Sequence, residues 1–184
     1  LITKGNASGT GEFTIAAPNS NTNRVLTLPD NTGTIITTGS TFAGTGPAFG
    51  AYASATQSIT TASWTKITLG SETFDTNGNF ASSRFTPTVA GYYQITGEVA
   101  YTNAAVTAEA ACSIYKNGSR FKDGFGAPFT NVLGSYCGVT AIIYFNGSTD
   151  YVELYTFQDS GGTRGVGVGD AARTYFQGVM VRSA

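Results

Sequence analysis

Histidine is absent from the 184 residues. With it go the commonest general base near neutral pH and the commonest metal ligand. A Ser-His-Asp or Cys-His arrangement is therefore excluded, and no sequence pattern supports a Ser–Lys dyad in its place. Charge is scarce as well: Asp, Glu, Lys and Arg make up 11% of the chain, against roughly 25% in ordinary soluble domains. The net charge is −1 and no basic cluster stands out, so nucleic acid is not an expected partner, because counterion release has little to work with. No apolar run reaches the ~18 residues of a spanning helix, and no membrane insertion is expected. Leu1-Ile-Thr-Lys-Gly turns polar almost at once, unlike a signal peptide. A start at Leu1 without Met reads as the carboxy-terminal part of a longer chain. Cys112 and Cys137 are the two cysteines, too few for a disulfide framework or a four-ligand zinc site. Both lie in strand-like sequence and read as buried free thiols or as a cross-strand pair.

What the chain does have is Thr, Ser, Asn and 24 Gly, a composition for sheets and turns rather than helices. The stretch from Arg84 to Tyr101 is the clearest: Tyr93, Ile95, Val99 and Tyr101 fall on one side, and Gln94, Thr96 and Glu98 on the other. That is the period-2 signature of a half-buried strand, entered through a corner punctuated by Pro87 and Gly91. Further strands are read at 49–55, 64–69, 85–86, 110–116, 138–145, 151–157 and 174–181. Short strands at this spacing with turn clusters between them predict an all-β sandwich or jelly roll.

Phe85, Gly91 and Tyr93, in the order Phe-x5-Gly-x-Tyr followed by an apolar residue, resemble the signature of the complement-1q-like globular heads. Glu72 to Phe80 resembles the segment before that corner. Cys112-Ser-Ile-Tyr-Lys-Asn-Gly118 is similar to the mid-domain strand, and Asp150 to Leu154 and Thr174 to Val181, with Phe176 and Gly178, to two late strands. The resemblance implies a jelly roll over residues 48–184, a fold shared with the tumour-necrosis-factor family, and assembly as a homotrimer. Metal sites occur on the trimer axis of that family; no ligand is assigned here, and no cofactor is implied.

Residues 1–40 differ in texture. Gly11-Glu-Phe-Thr-Ile-Ala16, Arg24-Val-Leu-Thr-Leu-Pro29 and Gly33-Thr-Ile-Ile-Thr37 are short β-prone runs separated by turn-forming residues. So small a segment cannot close a core alone and would borrow one from identical neighbours. Leu-Thr-Leu-Pro-Asp-Asn-Thr-Gly-Thr, residues 26–34, resembles repeats in bacteriophage tail-fibre shafts. The expected organisation is a β-rich intertwined shaft at 1–40, a linker at 41–47 and the head at 48–184. The corresponding function is the receptor-binding, carboxy-terminal part of a tail fibre or other virion appendage, bound to the rest of the fibre and to a glycan or outer protein of a bacterial host. A secreted, non-viral complement-1q-like adhesive or signalling head is the alternative, and a glycan-depolymerising spike the third reading.

Two features bear on contacts. Ala141-Ile-Ile-Tyr-Phe145 and Tyr175 to Val181 carry large apolar groups on both faces; a partner subunit would bury the second face, or a loop would cover it. Residues 117–135 form the longest irregular stretch and concentrate Arg120, Phe121, Lys122, Asp123, Phe125 and Phe129. Such aromatics beside charges suit a sugar or protein surface, or else pin the loop to the barrel or the subunit interface. Loops 103–107, 146–150 and 169–173, with Asn103, Asp170 and Arg173, are rival sites. The acids Glu98, Glu109, Asp123, Asp150, Glu153, Asp159 and Asp170 read as solvated residues rather than a catalytic pair. Gly165 to Asp170 reads as a Gly-rich strand, not a phosphate loop. The sequon matches at Asn6, Asn117 and Asn146 read as turns.

Overall fold

The computed structural model describes residues 2–4, 12–14, 19, 21–23, 46–102, 109–126, 135–167 and 173–184. The chain divides into two compact units, Leu1–Ile35 and Ile36–Ala184. In the first, β1 (Ile2–Lys4) pairs antiparallel with β2 (Glu12–Thr14). The β-prone runs at 24–29 and 33–37, most of the 41–47 linker, and Asn6 lie outside the described residues.

The second unit is built from strands alone among its described residues. They are β3 (Ala48–Tyr52), β4 (Gln57–Ile59), β5 (Thr65–Lys66), β6 (Ser71–Asp75), β7 (Phe80–Ala81), β8 (Arg84–Phe85), β9 (Gly91–Thr102), β10 (Ala110–Lys116), β11 (Ser119–Phe125), β12 (Ser135–Phe145), β13 (Val152–Gln158), β14 (Arg164–Val166) and β15 (Tyr175–Ser183). One sheet runs β4-β14-β9-β15-β3-β6, with β12 on the other edge of β9; the second runs β11-β10-β13-β8-β7, with β5 against β13. Every pairing is antiparallel, and β15 lies between β9 and β3 although it comes last. Two sheets of this connectivity face to face make the jelly roll.

β9 is the long central strand, and its alternation is as read: Tyr93, Ile95, Val99 and Tyr101 are buried, while Gln94 is exposed and Thr96 and Glu98 half-buried. The core between the sheets is aromatic at one end. Phe49 stacks on Phe85 at 4.2 Å and on Phe80 at 5.1 Å, and meets Phe176 edge-on at 5.3 Å. Tyr93 and Phe145 meet at 5.1 Å, and each also packs edge-on to Phe85. Phe85, Tyr93 and Phe176 thus belong to one cluster, an arrangement that favours offset and T-shaped contacts. Gly178 makes room for it, because a Cβ there would come within 2.5 Å of Ile95 Cδ1 and 2.9 Å of the Phe49 ring. Gly91 differs from expectation: it is the first residue of β9, not part of the corner. β15 crosses it so closely that a Cβ would lie 2.5 Å from the Arg182 carbonyl oxygen.

The main correction concerns residues 117–135. The first part is no loop. Asn117 and Gly118 both adopt the left-handed region, with φ of 52° and 79°, and turn β10 back into β11. Two residues at positive φ make the tight hairpin turn that matches strand twist. β11 lacks alternation because it is an edge strand whose residues 119–122 are all exposed. Its charges guard that open edge. Smaller differences follow the same logic. β3 stops at Tyr52, short of 55, and only Thr65 and Lys66 of the 64–69 run pair as a strand. There the Gln57 side chain stands in as a partner, donating to the Lys66 carbonyl and accepting from the Thr68 amide, both at 2.8 Å.

Candidate recognition surfaces

The two sheets present very different outer faces. On the β9 sheet, residues that point away from the core include Tyr92, Ile142, Tyr144, Val179 and Val181, and Ile142 is 64% exposed. Tyr92 and Tyr144 face each other across β9 and β12, with ring centroids 5.4 Å apart. A register shift between Met180 and Arg182 adds one residue to β15 here. Alternation from Val179 keeps Val181 exposed on the outer face, and the bulge brings Arg182, rather than Val181, opposite Tyr92. Tyr92, Ile142, Tyr144 and Val181 form an apolar end of the sheet and line a shallow depression with residues 182–184, while Gln94 lies between Ile142 and Val179. Gln94, Thr96 and Gln177 make the middle of the same face polar, and Thr96 and Thr140 share a 3.1 Å hydroxyl contact across it. Glu98 lies further along, its carboxyl pushed above the ordinary value by burial.

The outer face of the β13 sheet is lined with rings. Tyr115 and Tyr155 stack at 3.8 Å, and Trp64 packs against Phe157 at 5.5 Å and Tyr115 at 6.2 Å. Arg120 sets its guanidinium 5.0 Å from the Trp64 ring, and Arg84 sits 3.8 Å over Tyr151. Each is a cation–π geometry. In the middle lies Glu153, 4% exposed at its side chain, which accepts from Lys66 Nζ at 2.7 Å and Arg84 Nε at 2.9 Å. Burial alone would raise the Glu153 carboxyl, but the bonds and charges of Lys66 and Arg84 outweigh it and hold the group below its usual range. Arg120 also pairs with Asp123 at 3.1 Å.

The predicted contact residues distribute as follows. Arg120, Phe121, Lys122 and Asp123 stand on β11, with Phe121 49% exposed, and the backbone of Phe125 ends that strand. The structure brings Arg120 to Trp64, a residue far away in sequence. Asn103, Phe129 and Asp170 lie outside the described residues; Arg173 is exposed ahead of β15. Loop 146–150 is tied down by its own side chains: Asn146 Oδ1 accepts from the amides of Ser148, Thr149 and Asp150, and Asp150 pairs with Lys116 at 3.0 Å and accepts from Asn117 Nδ2 at 2.8 Å. The Asn117 amide, with Lys116 and the Asn146 backbone amide, holds the Asp150 carboxyl below its ordinary value. Sequence reasoning missed Trp64, Tyr115, Tyr151, Tyr155, Phe157, Lys66 and Arg84. A signal was there: Tyr151, Glu153, Tyr155 and Phe157 alternate with apolar Val152 and Leu154, so both faces of β13 carry large groups.

Cys112 and Cys137 are free and buried. They sit on opposing sheets with their thiols in hydrogen-bond contact, and Cys137 Sγ lies 3.8 Å from Thr156 Oγ1. Among the described residues no group of three or more Cys, Asp or Glu could hold a metal, and no helix is long and apolar enough to cross a membrane.

No protein-family model matches the chain, and no curated protein matches it in sequence. Solved structures do match. Eiger TNF from S. frugiperda aligns with a TM-score of 0.55 at 8% identity over 75% of this chain and 92% of its own. Murine APRIL aligns with a TM-score of 0.55 at 8% identity over 74% of this chain and 99% of its own. At such identity the likeness is one of fold, and the fold is the tumour-necrosis-factor type of jelly roll.

Proposed function

We propose that the chain is an extracellular recognition head: a binder, not an enzyme, that works as a homotrimer of jelly rolls over residues 48–184. The observation that carries this reading is the exposed apolar end of the β9 sheet, Tyr92, Ile142, Tyr144 and Val181. A face of that kind marks an interface, and two further copies of the chain are the natural cover. The motif resemblance to trimeric complement-1q-like heads supports the same assembly, and the tumour-necrosis-factor-type fold supports an adhesive or signalling role at a cell surface. In this scheme residues 1–40 are a β-rich stalk and 41–47 a linker.

A second reading, a virion appendage with a bacterial host, draws on the fibre-like run of residues 26–34. Both readings require the trimer. Sedimentation of the full chain at micromolar concentration tests it: the expected mass is three copies, and Ile142→Asp gives a folded single copy. A wild-type chain that sediments as a well-folded monomer overturns the proposal. Labelled wild-type trimer applied to animal and bacterial cells then separates the two readings.

A further inference from the structure

We propose that the ringed outer face of the β13 sheet is a binding surface for acidic glycans, whose sugar rings lie on Trp64, Tyr115, Tyr155 and Phe157 and whose carboxylate or sulfate groups meet Arg120, Lys66 and Arg84. The inference rests on the reading of the chain as a recognition head and names the class of its ligand.

Three observations carry it. First, the rings form a continuous half-buried strip, and the alternate positions of β13 from Tyr151 to Phe157 extend it along the strand. At ~3.3 Å per residue that strip is about 20 Å long, enough for several sugar units. Tyr115 and Tyr155 spend one face each on the other, so their ring edges and hydroxyls are what a pyranose can pack against and hydrogen-bond.

Second, the ion pairs on this face are asymmetric. Side-chain exposure is 32% for Lys66 and 43% for Arg84 against 4% for their shared partner Glu153, and 51% for Arg120 against 28% for Asp123. The anions lie underneath and the cations on top. A face whose formal charges nearly cancel therefore presents positive potential to a ligand in solvent, and its complement is negative. That asymmetry selects an acidic glycan over a neutral one.

Third, the strip lies on the sheet opposite the apolar face proposed to bind copies of the chain and shares no residue with it.

The test uses the full wild-type trimer and calorimetric titration with hyaluronan and chondroitin sulfate oligosaccharides, with maltohexaose as the neutral control. Binding to the carboxylated or sulfated oligosaccharide is expected, weakening as salt rises, with maltohexaose at least tenfold weaker. Arg120→Ala should weaken binding about fivefold, and Tyr155→Ser about tenfold, with melting temperature and trimer mass monitored for both. Should Tyr155→Ser unfold the chain, Trp64→Ser, in the segment just ahead of β5, takes its place with an expected threefold loss. Equal binding of maltohexaose, no binding to any of the three, or acidic binding unaffected by Arg120→Ala and by the ring substitution each overturns the proposal. A short DNA duplex bound as tightly, with no effect of the ring substitution, reduces the face to plain polyanion attraction and overturns it too. Failure here with the trimer intact and cell binding retained leaves the recognition head standing and moves its contact elsewhere. Loss of trimer and cell binding in the wild type strikes the parent reading instead.

Discussion

The Tyr93 hydroxyl donates a 2.7 Å hydrogen bond to the carbonyl of Val89, closing the corner through which the chain enters β9. The ring of the same residue sits in the core between Phe85 and Phe145, and burial pushes its hydroxyl up to about 12. One side chain thus fixes both a turn and a packing site. Tyr93→Ala should cost on the order of 3–5 kcal/mol, and Tyr93→Phe, which keeps the ring and loses only the bond, about 1 kcal/mol. Urea denaturation of both variants separates the two contributions.

Acid should loosen the head through Glu153. Its folded carboxyl titrates below the ordinary value, so its contribution is fully present above the unfolded pKa and is lost as pH falls through the depressed folded one. Asp150 is lowered too and acts in the same sense. Glu98, raised by burial, acts in the opposite sense, since protonation relieves its cost. Melting temperature should fall as pH drops below about 4. Glu153→Gln should flatten most of that fall while costing about 1 kcal/mol at neutral pH, because Lys66 and Arg84 lose their shared anion but stay partly in water.

Ser82 offers a gain. It turns β7 into β8 together with Ser83, both in the left-handed region with φ of 52° and 57°. Ser83 has a task there, accepting the Leu69 amide at 2.9 Å with its hydroxyl, but Ser82 is exposed. Ser82→Gly should raise stability by about 1 kcal/mol through relief of that backbone strain. A lowered denaturation midpoint would contradict the turn geometry.

The two thiols should be silent in the native protein. The hydrogen bond with Cys137, then burial, pushes the Cys112 thiol far up, and a protonated thiol is a poor nucleophile. Reaction with dithionitrobenzoate near neutral pH should be slow and should track global unfolding across a urea series. Rapid labelling without denaturant would place at least one cysteine in the wrong environment.

How far the fold could be read from the residues depended on where each strand lies in its sheet. β9 is central and covered on one face, so its side chains had to alternate and the alternation was visible. β6 and β11 lie at edges, where little is buried and any polar sequence serves; the Glu72 to Phe80 stretch was recognisable only by resemblance. β4 and β14 are three residues long, too short for a period to show. The apolar groups on both faces of β12 and β15 were legible as a surplus, and the exposure of Ile142 and Val179 is that surplus. The ringed face was not legible, because its members come from β5, β8, β10, β11 and β13 and meet only once the sheet has formed. Arg120 could be singled out as a contact residue, but nothing in its own neighbourhood of the sequence points to Trp64.

The position of β15 has a consequence for biosynthesis. Its place between β9 and β3 means that β3, made early and paired with β6 on one side, has to wait for residues 175–183 before it has a partner on the other. Until they emerge from the ribosome, β9 has one long side without a hydrogen-bonding partner, and the Phe49 cluster lacks Phe176. Loop closure over so many residues is slow, and the naked strand is an invitation to pair with another nascent chain. Where several copies are translated from one message, that delay holds the chains in their stickiest state close to the very sisters they are proposed to assemble with.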